Sequence, residues 1–243
     1  MFRILALASL CLTGLAACAS TDRPPGLNAQ ECGIAAQVLR PIMRAQIEQG
    51  GRVILADRMA LIAEPDTDAD AWWPRVRSGG FPPQNRSADM DRALLSEQIR
   101  EAMTLRQERP DLPVSEREAM AWDRAHAVHG DDRAIPADDL WASFMGRNAR
   151  AAPLRCRTEL ARVADFEIAD RSRPFPEDAI VITLSRAGFS EDGRRALIHA
   201  EIARHPQTEP GPLHRSATFW MLDGGWPVWR TAGARALWFA EDD

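Results

Sequence analysis

The stretch 179–222, AIVITLSRAGFSEDGRRALIHAEIARHPQTEPGPLHRSATFWML, decides the fold of this chain. It opens with Ala179 to Leu184, a continuous apolar, β-branched run with the length of a buried strand. Ser190-Glu191-Asp192-Gly193 then supplies turn chemistry, and Arg195 to Ile202 reads as a second strand. Ser216 to Leu222 is a third, closed by the turn Asp223-Gly224-Gly225. Downstream, Pro227 to Thr231 and Ala236 to Phe239 continue the pattern. Upstream, Val163 to Ile168 is a weaker strand.

N-terminal to this region the period becomes helical. A helix is predicted from about Ala29 to Gln49, with Ile34, Val38, Ile42 and Ile47 on one stripe and Gly50-Gly51 as its stop. Pro41 inside it predicts a kink or a division into two helices. Arg52 to Asp57 reads as a strand, extendable towards Ile62. Glu64 to Asp91, rich in Pro, Gly, Asp and Asn, is expected to be a loop carrying Trp72-Trp73 and Phe81. Helices follow over Arg92–Gln107, Ser115–Val128 and Ala137–Asn148. Ser115-Glu116-Arg117-Glu118 gives the second of these the spacing of a capping box. Helices first and strands last predict an α+β fold, N-terminal helices followed by a C-terminal antiparallel β-meander.

At the other end of the chain, Arg3 precedes a mostly apolar run from Ile4 to Ala17, with no acidic residue before Asp22. A charged start, an apolar middle and small residues before a cut make a secretory signal. The run has about 14 residues, shorter than the roughly 18 to 20 of a membrane-spanning helix. Leu15-Ala16-Ala17-Cys18 resembles the lipobox of bacterial lipoproteins. The resemblance implies that residues 1–17 are a lipoprotein signal peptide and that Cys18 carries the lipid. Residues 18–28 then tether a single domain over 29–243, helical across 29–150 and mainly β across 160–240. Two or more acyl chains hold a protein stably at a membrane surface. Lipoproteins retained in the inner membrane tend to carry Asp after the cysteine; Ala19 here implies the outer membrane, facing the periplasm. An ordinary signal peptide cut at a nearby Ala-x-Ala site is the alternative.

Composition limits the chemistry. The net charge is −5, and losing Arg3 takes it to about −6, which argues against a nucleic-acid surface. All 30 basic residues are Arg, and Tyr is absent. A Schiff-base lysine, a P-loop lysine and a tyrosine acid are therefore excluded. Cys11 leaves with the signal and Cys18 takes lipid, so Cys32 and Cys156 remain. In an oxidising periplasm they suit one bridge, worth about 4 to 5 kcal/mol in the chain-entropy model. Two buried free thiols are the alternative.

Leu140-Trp141-Ala142-Ser143-Phe144 with Arg147-Asn148, then Leu184-Ser185-Arg186-Ala187-Gly188-Phe189-Ser190, then Arg195-Ala196-Leu197-Ile198 and Asp223-Gly224-Gly225-Trp226 form a set of motifs. They resemble an uncharacterised, mostly exported bacterial family with a Trp-x-x-Phe-x-x-Arg-Asn helix and a Ser-Arg-x-Gly-Phe strand end. Many relatives carry a Gly- and Cys-rich stretch where this chain has Arg204 to Pro210. The resemblance implies a fold and no activity. Physically the motifs read as structure, with Phe189 folding back on the core and Arg186 or Arg147 pairing with a buried carboxylate.

One cluster has metal-ligand character: Asp123, His126 and His129, spaced to share a helix face and acceptable to zinc. It lacks the His-Glu-x-x-His pattern, and Gly130 reads as an ordinary helix cap. Ser185 with His199 or His214 could meet on adjacent strands, but no Gly-x-Ser-x-Gly elbow exists, and His199 is expected on the solvent face. Eight tryptophans form either core or an aromatic binding surface. The expectation is a membrane-anchored, non-catalytic binding or structural protein of the cell envelope, without cofactor. Its partners would be the membrane and an envelope protein or cell-wall saccharide. A metal-dependent hydrolase using His126 and His129, and an accessory or inhibitor subunit of an envelope enzyme, are the alternatives.

Overall fold

A computed structural model describes residues 27–62, 68–82, 88–129, 133–170, 174–204, 214–225 and 228–240. The lipobox, Cys18 and most of the tether lie outside the described residues. The first helix, α1 (Leu27–Glu48), runs unbroken through Pro41 and begins two residues earlier than expected. It buries Ile34, Ala35, Val38, Leu39 and Met43. Gly50, at φ 77°, ends it, a backbone region that glycine enters without strain.

Six helices and two sheets follow the α+β order, helices mostly first. The main sheet contains β1 (Arg52–Ala56), β4 (Glu167–Ala169), β5 (Ala179–Leu184), β6 (Gly188–Phe189), β7 (Arg195–Arg204), β8 (His214–Gly225) and β9 (Val228–Ala240). Their spatial order is β4-β1-β5-β7-β8-β9, with β6 on β7. The run β5-β7-β8-β9 is the expected antiparallel meander. Strand β1, however, enters the sheet parallel to both β4 and β5, so the sheet is mixed. The two predicted strands around Gly233 merge into β9, which absorbs the irregularity as a bulge opposite Met221/Leu222. A small ribbon pairs β2 (Arg58–Met59) with β3 (Ala152–Pro153).

The expected loop over 64–91 contains a helix, α2 (Ala69–Ser78). Pro74 and the surrounding polar residues hid it. Asp68 caps it by accepting from the Asp70 N–H, and Trp72, Trp73 and Val76 supply an apolar face. Tertiary burial outweighs propensity here. Helices α3 (Ala88–Glu108) and α4 (Val114–His129) form a hairpin, and α5 (Asp138–Asn148) follows. Ser115 lies within the first turn of α4 rather than before it. A short helix, α6 (Arg157–Ala161), occupies a segment to which the sequence assigned no element.

Strand alternation gives the sheet two faces. One is closed by α1 and α6, with Val53, Leu55, Ile180, Ile182, Ile198 and Trp220 packed beneath them. The other is closed at the β8–β9 end by α2 and α5, through Trp73, Phe81, Leu140, Phe144 and Phe219. At its opposite end lies a small patch of Ile54, Ala179, Val181 and Ala203. Between those clusters the second face carries Ala56, Thr183, Glu201 and Arg215 instead of a hydrophobic seam. His199 also lies on this face, fully buried against Trp73 and Phe219 rather than in solvent. The helices that cover the sheet there make a non-exposed position of what alternation alone allowed to be wet.

Candidate functional site

The sequence motifs converge on one structural junction. Glu31, 2% exposed, accepts from the Arg147 guanidinium at 3.0 Å and the Ala187 N–H at 2.7 Å, with Arg186 3.5 Å away. Burial lowers the Arg147 pKa, opposed by the Glu31 charge. Asn148 donates to the carbonyls of Phe144 and Arg186 and accepts from the Arg186 N–H, each at 2.8 Å. The Phe189 N–H donates to Ser143 Oγ at 3.0 Å. A Cβ on Gly188 would lie 2.5 Å from the Phe144 backbone, so α5 crosses β6 in direct contact. Ser143, Arg147, Asn148 and Arg186 are thus used in joining α1, α5 and the segment entering β6. The buried carboxylate expected for Arg147 or Arg186 is Glu31, a residue that sequence position alone did not single out.

Cys32 and Cys156 are joined as a disulfide, Cα–Cα 4.9 Å, linking α1 to the start of α6. His126 is fully buried, its Nδ1 2.9 Å from the Trp122 carbonyl. Asp123, one turn earlier, is exposed and pairs with Arg133 at 2.8 Å. The side chain of His129, like Gly130, lies outside the described residues. Among the described residues no group of three His, Cys, Asp or Glu side chains stands together to hold a metal. Ser185 and His199 do meet, but through backbone: Ser185 Oγ accepts from the His199 N–H at 2.9 Å and donates to the Arg186 carbonyl at 3.2 Å. That hydroxyl ties the end of β5 to the backbone of β7. Of the tryptophans, Trp72, Trp73, Trp122, Trp141, Trp220 and Trp229 are buried. Trp226 and the Trp238 side chain lie outside the described residues.

Two clefts remain. The larger, about 640 Å³, is lined by Asp139, Ser190, Asp192, Arg195 and Asp223 at the β6–β7 turn. Its charges are already spent on the turn. Asp139 accepts from the Glu191 N–H at 2.9 Å, Asp192 from the Arg194 N–H at 2.9 Å, and Arg195 pairs with Asp223 at 3.1 Å. Those backbone N–H groups hold both Asp139 and Asp192 below the usual carboxylate range, aided at Asp192 by the Ser190 hydroxyl.

The second cleft, about 420 Å³, fills the gap on the second sheet face. It opens at the carboxyl ends of the parallel strands β4, β1 and β5, where open sheets with parallel strands receive ligands. Ala56, Ala60, Ile62 and Ala151 give it an apolar lining; Asp57, Arg58, Asp170, Thr183 and Arg215 give it polar atoms. Arg215 is stationed by Glu201, Nε to Oε1 3.7 Å, with the Glu201 side chain 3% exposed. Thr183 is 3% exposed. A cleft with apolar walls and a few converging polar groups is the form of a small-molecule site. Sequence reasoning missed all of these residues. Their signals were a single Thr within 179–184 and the charges Glu201 and Arg215 at inward positions of strands.

A further buried cation serves structure. The Arg235 guanidinium, 1% exposed, donates to the Val76 carbonyl at 3.0 Å and lies 4.8 Å from the Trp122 ring centre. Burial pushes its pKa down to about 10. With Trp122 and Arg133, both donating to the Gly79 carbonyl, it caps the negative end of α2.

No protein-family model matches the chain, and no curated protein or solved structure matches it either.

Proposed function

We propose that this chain is a lipid-anchored bacterial envelope protein that binds a small ligand without turning it over. The outer membrane, facing the periplasm, is its proposed site, and Cys18 its proposed lipid attachment. The observation that carries the binding reading is the 420 Å³ cleft, where apolar walls from Ala56, Ala60 and Ile62 meet the polar residues Asp57, Thr183 and Arg215. The absence of an oriented nucleophile and base around Thr183 among the described residues favours binding over catalysis.

For the address, support comes from Leu15-Ala16-Ala17-Cys18 and from a disulfide suited to an oxidising compartment. Among the described residues no helix is long and apolar enough to cross a membrane. Native intact-mass spectrometry on protein extracted from its own membrane fraction tests the proposal. The expected mass starts at Cys18, includes acyl chains and is two hydrogens short for the Cys32–Cys156 bridge. A lipid-free mass overturns the anchor, a bound zinc overturns the absence of a metal, and stoichiometric co-purification of an envelope enzyme replaces the reading with an accessory subunit.

A further inference from the structure

We infer that the arginine-bearing outer face of α1 and α6 lies against the anionic phospholipid headgroups of the membrane that holds the anchor. This rests on the proposed lipid attachment at Cys18 and adds how the domain sits on its membrane. The two helices pack together over the first sheet face. Helix α1 turns Val38, Leu39 and Met43 inward and leaves Gln37, Arg40, Arg44 and Glu48 exposed at helical spacing. Arg155, Arg157 and Arg162 are exposed on and beside α6. Among the described residues none of these five guanidiniums makes a hydrogen bond or an ion pair. The solvent-facing acids of the same segments, Glu48, Glu159 and Asp165, are outnumbered by them, whereas the whole chain stands at −5. Arg186 extends the excess to the start of α1, reaching Asn28 at 3.2 Å. With Arg147 it sets two cations against the one carboxylate of Glu31.

The face also stands at the tethered end of the domain. The tether joins α1 at Leu27, and Cys32 lies roughly 8 Å further along the helix axis. The Cα of Cys32 is 4.9 Å from that of Cys156, which Arg155 and Arg157 flank. Those two arginines therefore stand beside the point where the tether leaves the fold. Arg40 and Arg44 lie about 20 and 26 Å along α1 from Leu27. Residues 18–26 span at most about 30 Å when fully extended, so the anchor keeps the whole arginine face within reach of the headgroups. An anchor by itself leaves the orientation of the domain open. A cationic face held at high local concentration beside phosphates closes it, each arginine adding a weak, salt-dependent attraction. Guanidinium forks suit this role, since they bond phosphate oxygens in pairs.

The full chain, extracted from its own membrane, is placed with vesicles of phosphatidylcholine alone or with about 30 mol% phosphatidylglycerol. Flotation of the vesicles reads the anchor. Phenylglyoxal modification of individual arginines, followed by peptide mass spectrometry, reads the face. On anionic vesicles Arg40, Arg44, Arg155 and Arg157 should react about fivefold more slowly than on neutral ones. Arg106, exposed on α3, a helix that packs on α4, should react alike on both. The protection should vanish at about 1 M salt, where attraction is screened beyond about 3 Å. Arg40→Glu with Arg44→Glu should return Arg155 and Arg157 to their rate on neutral vesicles without changing the melting temperature. Arg106→Glu should leave their protection in place. Equal reactivity on the two vesicle types, protection that survives the double variant, or equal protection by inorganic phosphate alone overturns the inference, and flotation with neutral vesicles then leaves the anchor standing. Flotation with anionic vesicles only overturns the anchor and supports the face; flotation with neither overturns both.

Discussion

Glu31 holds three donors from two distant segments, and the two arginines around it are unequal. Arg147 is hydrogen-bonded to it at 3.0 Å, whereas Arg186 stands at 3.5 Å and also reaches Asn28. Removing one partner of a buried pair strands the other, so Glu31→Gln should destabilise the protein by about 3 kcal/mol in urea denaturation. Arg186→Gln, a looser pair 3.5 Å from the carboxylate, should cost less than about 1 kcal/mol. Comparable losses for the two variants would contradict this account. The motif residues were legible in sequence as a structural set. Glu31 was not, because a carboxylate in an N-terminal helix carries no local sign of what it will face after folding.

At the level of elements, β6 and α5 touch backbone to backbone because position 188 is glycine. Gly188→Ala would force a Cβ to 2.5 Å from the Phe144 backbone, where no flexible side chain can yield. A loss of about 1 to 3 kcal/mol in thermal or chemical unfolding is expected, the range for overpacking. An unchanged melting temperature would show that α5 moves freely on the sheet. Helix α2 illustrates the opposite limit of legibility. Pro74 argued against it, and only burial of Trp72, Trp73 and Val76 against the sheet makes the helix worthwhile. Periodicity found the long helices and the meander strands within a few residues, since their apolar faces repeat regularly. The two-residue β6 and the short α6 exist because of their neighbours.

In the whole molecule the Cys32–Cys156 bridge spans 124 residues, joining α1 to the segment that leads into β4. Replacing both cysteines with Ser should lower stability by about 2 to 5 kcal/mol, measured by urea denaturation against the oxidised protein. Acid should act mainly through carboxylates such as Asp139. Its folded pKa lies below the unfolded value of about 3.9, so its contribution is present above that pH and is lost as pH falls through the folded value. Asp139→Asn should therefore flatten the acid limb of stability below about pH 4. A limb as steep as that of the unmodified protein would show that the β6–β7 turn does not depend on this carboxylate.

Strand alternation, turn residues and helical stripes determined the α+β class and the antiparallel meander, because those patterns are local and each repeats along one element. Composition determined what chemistry is impossible, since no fold can supply an absent lysine or tyrosine. Only the tertiary structure decided that β1 enters the sheet between β4 and β5 in parallel, for pairing across more than a hundred residues leaves no mark on local periodicity. That insertion also decided where the cleft lies. It sets Asp57 and Asp170 beside Thr183 and Arg215, residues scattered over the chain whose shared environment comes from long-range packing alone.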